Sequence, residues 1–224
     1  MPTYEQLGFG QGAALTGDRA RTVFGQVMGL VACTLGFAAL GAFIMRNSAG
    51  GSGFLFFIAS FGCMFGIQGA SRSGREQLAV GLLMLLGLLL GMAVSPIIVF
   101  YAKTNPGVVY QAAGTTALFV GAMGSFGYLT RKDLSPLIKP LMIAFLAIFV
   151  FGIVALFVAI PGSNIIYCLL MLAVFGGFTA LDFQRLSRAG TYQSAPLIAA
   201  SIFLDIFNVF LLLLSLFGGG GNRR

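Results

Sequence analysis

Ser201, Asp205 and Asn208 stand at i, i+4 and i+7 within "SIFLDIFNVFLLLL", a stretch otherwise suited to hydrocarbon. On a helix these three residues share one face. A charged carboxylate at membrane depth costs at least ~2.5 kcal/mol, so it persists by facing a bundle interior, taking a partner or holding a proton. Asp182, in "FTALDFQRL", is a second acid in apolar surroundings. The other four acids have ordinary settings: Glu5 and Asp18 in a polar N-terminal stretch, Glu76 beside Arg75 at a helix boundary, and Asp133 in the loop "RKDLSP". Two carboxylates that share a site cannot both ionise easily and titrate as a unit. Asp182 and Asp205 are therefore expected to form a pH-sensing pair, with Ser201 and Asn208 as supporting polar groups. The plainer alternative is that Asp182 caps its helix near Arg185 while Asp205 hydrogen-bonds alone.

Other chemistry is excluded by what is missing. The chain has no histidine, which removes Ser-His and Cys-His catalysis and His-ligated zinc or haem. Cys33, Cys63 and Cys168 fall at wide spacing within apolar segments and are expected to be small packing residues. "GFGQG" lacks both a preceding strand and a following Lys-Ser or Lys-Thr, so a phosphate loop is not expected. No enzyme activity and no cofactor are expected.

The elements that must position the two acids follow from composition. The 224 residues are 58% hydrophobic and 8% charged, against about 25% charged in a soluble domain. That composition makes lipid the main solvent for the side chains. Continuous apolar runs predict helices over 22–45, 53–70, 78–101, 108–129, 137–160, 163–182 and 196–217. Each is near the ~20 residues that cross ~30 Å of hydrocarbon. The fold class is thus an all-α membrane protein: a polar N-terminal tail (1–21), a seven-helix transmembrane domain (22–217) and a short C-terminal tail (218–224). Because the predicted sixth helix ends at Asp182, counting leaves that residue near the interface and Asp205 about two turns deeper. The pair then closes only if the sixth helix dips or the seventh starts below the interface.

The net charge of +7 is scattered among short loops, which is the pattern of topology signals and not of a nucleic-acid partner. Arg19, Arg21, Arg72, Arg75, Arg131, Lys132, Lys139, Arg185 and Arg188 fall on one side, and Arg46, Lys103, Arg223 and Arg224 on the other. The bias places the N-terminus in the cytoplasm and the C-terminus, after seven crossings, outside. The pairs Gly25/Gly29, Gly62/Gly66 and Gly87/Gly91 allow close helix approach, either in a dimer face or, more simply, within one bundle.

Three segments carry a resemblance. "FGYLTRKDLS" (126–135), "LDFQRL" (181–186) and "FLDIFNVFLLLLSLF" (203–217) resemble the Bax inhibitor family, also called the transmembrane Bax inhibitor motif family. The pattern extends over essentially the whole chain after the polar tail. The resemblance implies a bundle with the last helix central and a pH-sensitive calcium leak gated by an aspartate pair, here Asp182 and Asp205. Where the family often has tyrosine before the first aspartate, this chain has Leu181. Some members carry a latch arginine in the second helix; the nearest candidate is Arg72. Oxygen ligands suit calcium, but two carboxylates make only a weak site for it. The expected partners are the lipid bilayer and calcium ions. The alternative is a membrane regulator that binds another membrane protein, such as a protease or cell-death factor, without conducting ions. A proton-coupled transporter is a third reading. A bacterial inner membrane is the expected location, with a eukaryotic organelle as the alternative.

Overall fold

The computed structural model describes residues 9–47, 53–157, 162–188 and 194–219. These residues form seven α-helices: α1 Phe9–Ile44, α2 Gly53–Arg72, α3 Glu76–Thr104, α4 Pro106–Leu129, α5 Ile138–Phe157, α6 Ser163–Ser187 and α7 Ala195–Gly219. Short 3₁₀ turns follow α1 (Met45–Asn47) and precede α5 (Ser135–Leu137). The seven predicted segments match these helices closely. α1 begins at Phe9, within the stretch assigned to a polar tail, and residues 1–8 lie outside the described residues. Residues 220–224, with Arg223 and Arg224, also lie outside them.

Six of the helices are long and apolar enough to cross a membrane; α4 is the exception. α4 has 24 residues and no charged side chain, but five glycines, two threonines and a glutamine dilute its apolar character. Large apolar side chains such as Phe54, Phe65, Leu118 and Phe157 point outward. A helix that is apolar on its outer face needs hydrocarbon around it, not water.

α3 lies against both α1 and α2, and α6 lies against both α4 and α5. α7 touches α1, α2, α3, α4 and α6. The α1–α3 seam is built by small residues. A Cβ on Gly91 would collide with the backbone of Ala38, and one on Gly87 would lie 2.5 Å from the Thr34 carbonyl oxygen. This glycine pair therefore serves packing inside the bundle. Gly25, Gly29 and Gly62 meet nothing within 4 Å. Ser95 Oγ adds a hydrogen bond to the Ala42 carbonyl across the same seam, at 2.8 Å. Between α2 and α3 the chain reverses through Gly74, whose φ of +69° suits a residue without a side chain.

α6 runs five residues past its predicted end at Asp182, to Ser187. Leu186 is buried, and Gln184 clamps the α4–α5 loop. Its Nε2 donates to the Lys132 carbonyl at 2.7 Å, and its Oε1 accepts from the Leu134 amide at 2.8 Å. This extension carries Asp182 inside the bundle.

Candidate functional site: a buried aspartate pair at the head of a long cleft

Asp182 and Asp205 are both buried, at 4% and 5% exposure. From the helix ends, Asp182 lies about 7 Å inside the end of α6, and Asp205 about 15 Å inside the start of α7, at 1.5 Å per residue. Helical extension thus cuts the depth mismatch to roughly one turn.

The two carboxyls have different surroundings. Asp182 Oδ1 accepts from Arg185 Nη1 at 3.0 Å, one turn on along α6, and Asp182 Oδ2 accepts from the Ser201 hydroxyl of α7. Both of its oxygens are engaged. Asp205 Oδ2 is buried with no hydrogen-bond partner. Thr179 lies beside the Asp205 carboxyl, but its own hydroxyl donates to the Phe175 carbonyl at 2.8 Å. Ser201 bonds Asp182 and not Asp205, and no direct hydrogen bond links the two carboxyls in this conformation.

Both acids line a cleft of ≈ 710 Å³ between α2, α5, α6 and α7. Ser201 and Asn208 line it too, so the polar face predicted for α7 points into this space. Asn208 Nδ2 donates to the Leu204 carbonyl at 2.8 Å. The cleft reaches Asn164 and Ser215 near the opposite ends of α6 and α7, where the Ser215 hydroxyl donates to Asn164 Oδ1 at 3.3 Å. Asp182 and Asn164 are 18 positions apart on α6, about 27 Å. A second cleft of ≈ 450 Å³ shares Asp182, Arg185 and Ser201 with the first, and is lined also by Gln68. Asp182 with its two partners therefore borders two spaces.

Arg72 lies exposed at the end of α2 and pairs with neither aspartate. The cation beside the pair is Arg185, whose side chain is 45% exposed and reaches Asp182 from the same helix. Its i, i+3 spacing is legible in the sequence. Thr179 and the far polar pair Asn164–Ser215 escaped the sequence reading because hydroxyl and amide residues in apolar helices are common and give no periodic signal. Among the described residues no group of three or more His, Cys, Asp or Glu side chains is placed to hold a metal ion.

The sequence model of the family described as "Inhibitor of apoptosis-promoting Bax1" matches residues 20–223. The chain belongs to the Bax inhibitor-1 family. Its relatives include an uncharacterized protein of Chlamydia muridarum, 26% identical over 232 residues, covering 96% of each chain. An uncharacterized protein of Helicobacter pylori is 30% identical over 165 residues, covering 73% of this chain and 70% of the relative. An uncharacterized membrane protein of Streptococcus pyogenes is 30% identical over 164 residues, covering 69% of each. The Bax inhibitor-1 match spans every helix that contributes to the cleft, including both aspartates.

Proposed function

We propose that this protein is a passive, pH-sensitive cation leak, with calcium as the transported ion, gated by Asp182 and Asp205. In this reading seven helices cross a bacterial inner membrane, the N-terminus is cytoplasmic, and α7 is the central helix. The observation that carries the proposal is the placement of two buried carboxyls from antiparallel helices at the head of a cleft that runs most of the membrane's depth.

The gate follows from the two environments. A single proton between the acids leaves one anion for Arg185 and Ser201 to hold. Loss of that proton sets two like charges side by side in a medium of low dielectric, where they repel strongly. Gain of a second proton removes the anion that Arg185 and Ser201 hold. Either step changes what ties α6 to α7, so flux tracks pH. Two carboxylates cannot supply the six to eight oxygens of a tight calcium site, which suits passage rather than storage.

The test is flux into liposomes that contain only this protein, with calcium, potassium and a neutral solute compared across about pH 6 to 8, the range in which carboxylates sharing a proton commonly exchange it. Calcium flux that changes with pH, and loses that change in Asp205→Asn and in Asp182→Asn, is the expected result. No flux above protein-free liposomes at any pH overturns the proposal.

A further inference from the structure

The ≈ 710 Å³ cleft has a chemistry that ion passage does not explain. Most of its wall is apolar, and much of that is aromatic: Phe57 and Phe61 from α2, Phe145 and Phe149 from α5, Phe175 and Tyr167 from α6. Its mouth lies toward the lipid. α5 lies against α6 and the turn before it and has no extensive contact with α2. Phe57, Phe61, Met142 and Phe149, on the facing edges of α2 and α5, are all exposed. A molecule dissolved in the bilayer can enter sideways.

At the inner end stands one unsatisfied group. Asp205 is 95% buried by its 5% exposure, and its Oδ2 has no partner. Asp182 cannot offer the same, since Arg185 and Ser201 occupy both of its oxygens. A buried carboxyl oxygen with no donor is costly, and the cost is relieved by a cation that brings its own N–H. A bare metal ion needs several more oxygens than this wall supplies. A cation with an apolar body needs only one acid and a greasy, aromatic enclosure, and rings near an ammonium add cation–π attraction.

We propose that this cleft is a binding site for lipophilic amines, with the ammonium donating to the Asp205 carboxyl and the apolar body lying among Phe57, Phe145, Phe149 and Phe175. The cleft volume lies within the range of small-molecule sites, about 300–1,000 Å³. The site stands on the cleft and the unpartnered oxygen, and does not depend on ion flux.

The experiment is photolabelling of the full chain in nanodiscs of neutral phosphatidylcholine, using a diazirine-bearing phenylalkylamine and its alcohol analogue of equal length. The amine is expected to label residues of α2 and α5 that line the cleft, saturably, with an apparent affinity at least tenfold above that of the alcohol. Asp205→Asn should erase that difference. Met142→Trp, on the lightly packed α5, should reduce labelling by both compounds by narrowing the mouth. Equal labelling by amine and alcohol in the wild-type protein makes the cleft an acyl-chain pocket only and overturns the proposal, whatever the folding of any variant. Labels spread over outward residues such as Phe65 and Leu118 overturn it as well, as does an Asp205→Asn protein that keeps the amine's advantage.

Discussion

Asp205 is predicted to cost the protein stability, and Asp205→Leu should therefore stabilise it. Its Oδ2 is buried and accepts no hydrogen bond. An unsatisfied buried polar atom costs about 1–3 kcal/mol, and replacing it with carbon removes that cost. Leucine is larger than aspartate, but the side chain faces the ≈ 710 Å³ cleft and has room. Thr179 loses little, because its hydroxyl already donates to Phe175. For a chain of this size each kcal/mol shifts the melting midpoint by about 2–4 °C, so a rise of roughly 2–12 °C is expected. The chain has no tryptophan, so intrinsic fluorescence is a poor probe. Cys63 and Cys168 are buried and free, and a thiol-reactive dye reports unfolding as they become accessible. The same variant should lose the pH response of flux. A folded Asp205→Leu protein that melts several degrees lower, with pH-dependent flux intact, refutes the reasoning and makes Asp205 a structural anchor.

Four further outcomes follow. Asp205→Asn and Asp182→Asn should each flatten the pH response of calcium flux between about pH 6 and 8, and the double variant should add little, since coupled groups are not additive. Asp133 serves as the control: hydrogen bonds from the Ser135 side chain and backbone, with Arg188 beside it, hold its carboxyl below its ordinary value. A lowered value means that its contribution is present at neutral pH and is lost only as pH falls below about 4, so Asp133→Asn should leave flux above pH 6 unchanged while hydrogen exchange in the α4–α5 loop rises at neutral pH. Gly91→Ala should destabilise by about 1–3 kcal/mol through its collision with the Ala38 backbone, whereas Gly62→Ala, which meets nothing, should be neutral or slightly stabilising in the dye-based melt. Gln184→Leu should cost about 1–3 kcal/mol and speed exchange of the Leu134 amide, whose only side-chain partner is the Gln184 carbonyl oxygen at 2.8 Å.

Helix positions were legible because the apolar runs are long and broken by turn residues. "SRSGRE" became the turn through Gly74, and Pro106 and Pro196 fall in the first two positions of α4 and α7, where proline is tolerated. The end of α6 was not legible. Charged residues from Asp182 to Arg188 resemble an interface, yet Leu186 is buried and Gln184 is held inside by the α4–α5 loop, a contact 50 positions away that local pattern cannot encode. The same limit applies to the basic partner. Sequence resemblance pointed to Arg72 on α2; the nearest guanidinium in space belongs to Arg185, on the same helix as Asp182. Periodicity did place Ser201, Asp205 and Asn208 on one face, and that face does line the cleft. It could not tell which carboxyl oxygen lacks a donor, because that depends on Arg185 and Ser201 both choosing Asp182.

That choice gives the two acids separate work. Asp182 lies nearer the end of its helix, beside a half-exposed arginine. Asp205 lies deeper, has an empty oxygen, and faces a cleft whose next polar groups are Asn208 and, much farther on, Ser215 and Asn164. Between them the wall is formed by rings and branched chains such as Phe145, Phe175 and Phe207. A hydrated ion finds no oxygen ladder there, and apolar walls of this kind oppose the entry of a hydrated ion. For the proposed leak, conduction therefore requires the cleft to widen and wet. α5 is the element that can yield with least loss, since its main partner is α6 alone. A change in the tie between Asp182 and Ser201 acts at the α6–α7 junction, and α6 carries α5 with it. In the proposed leak, proton state at the Asp182 end of the cleft can thus reach the aromatic section without any charge having to enter it first.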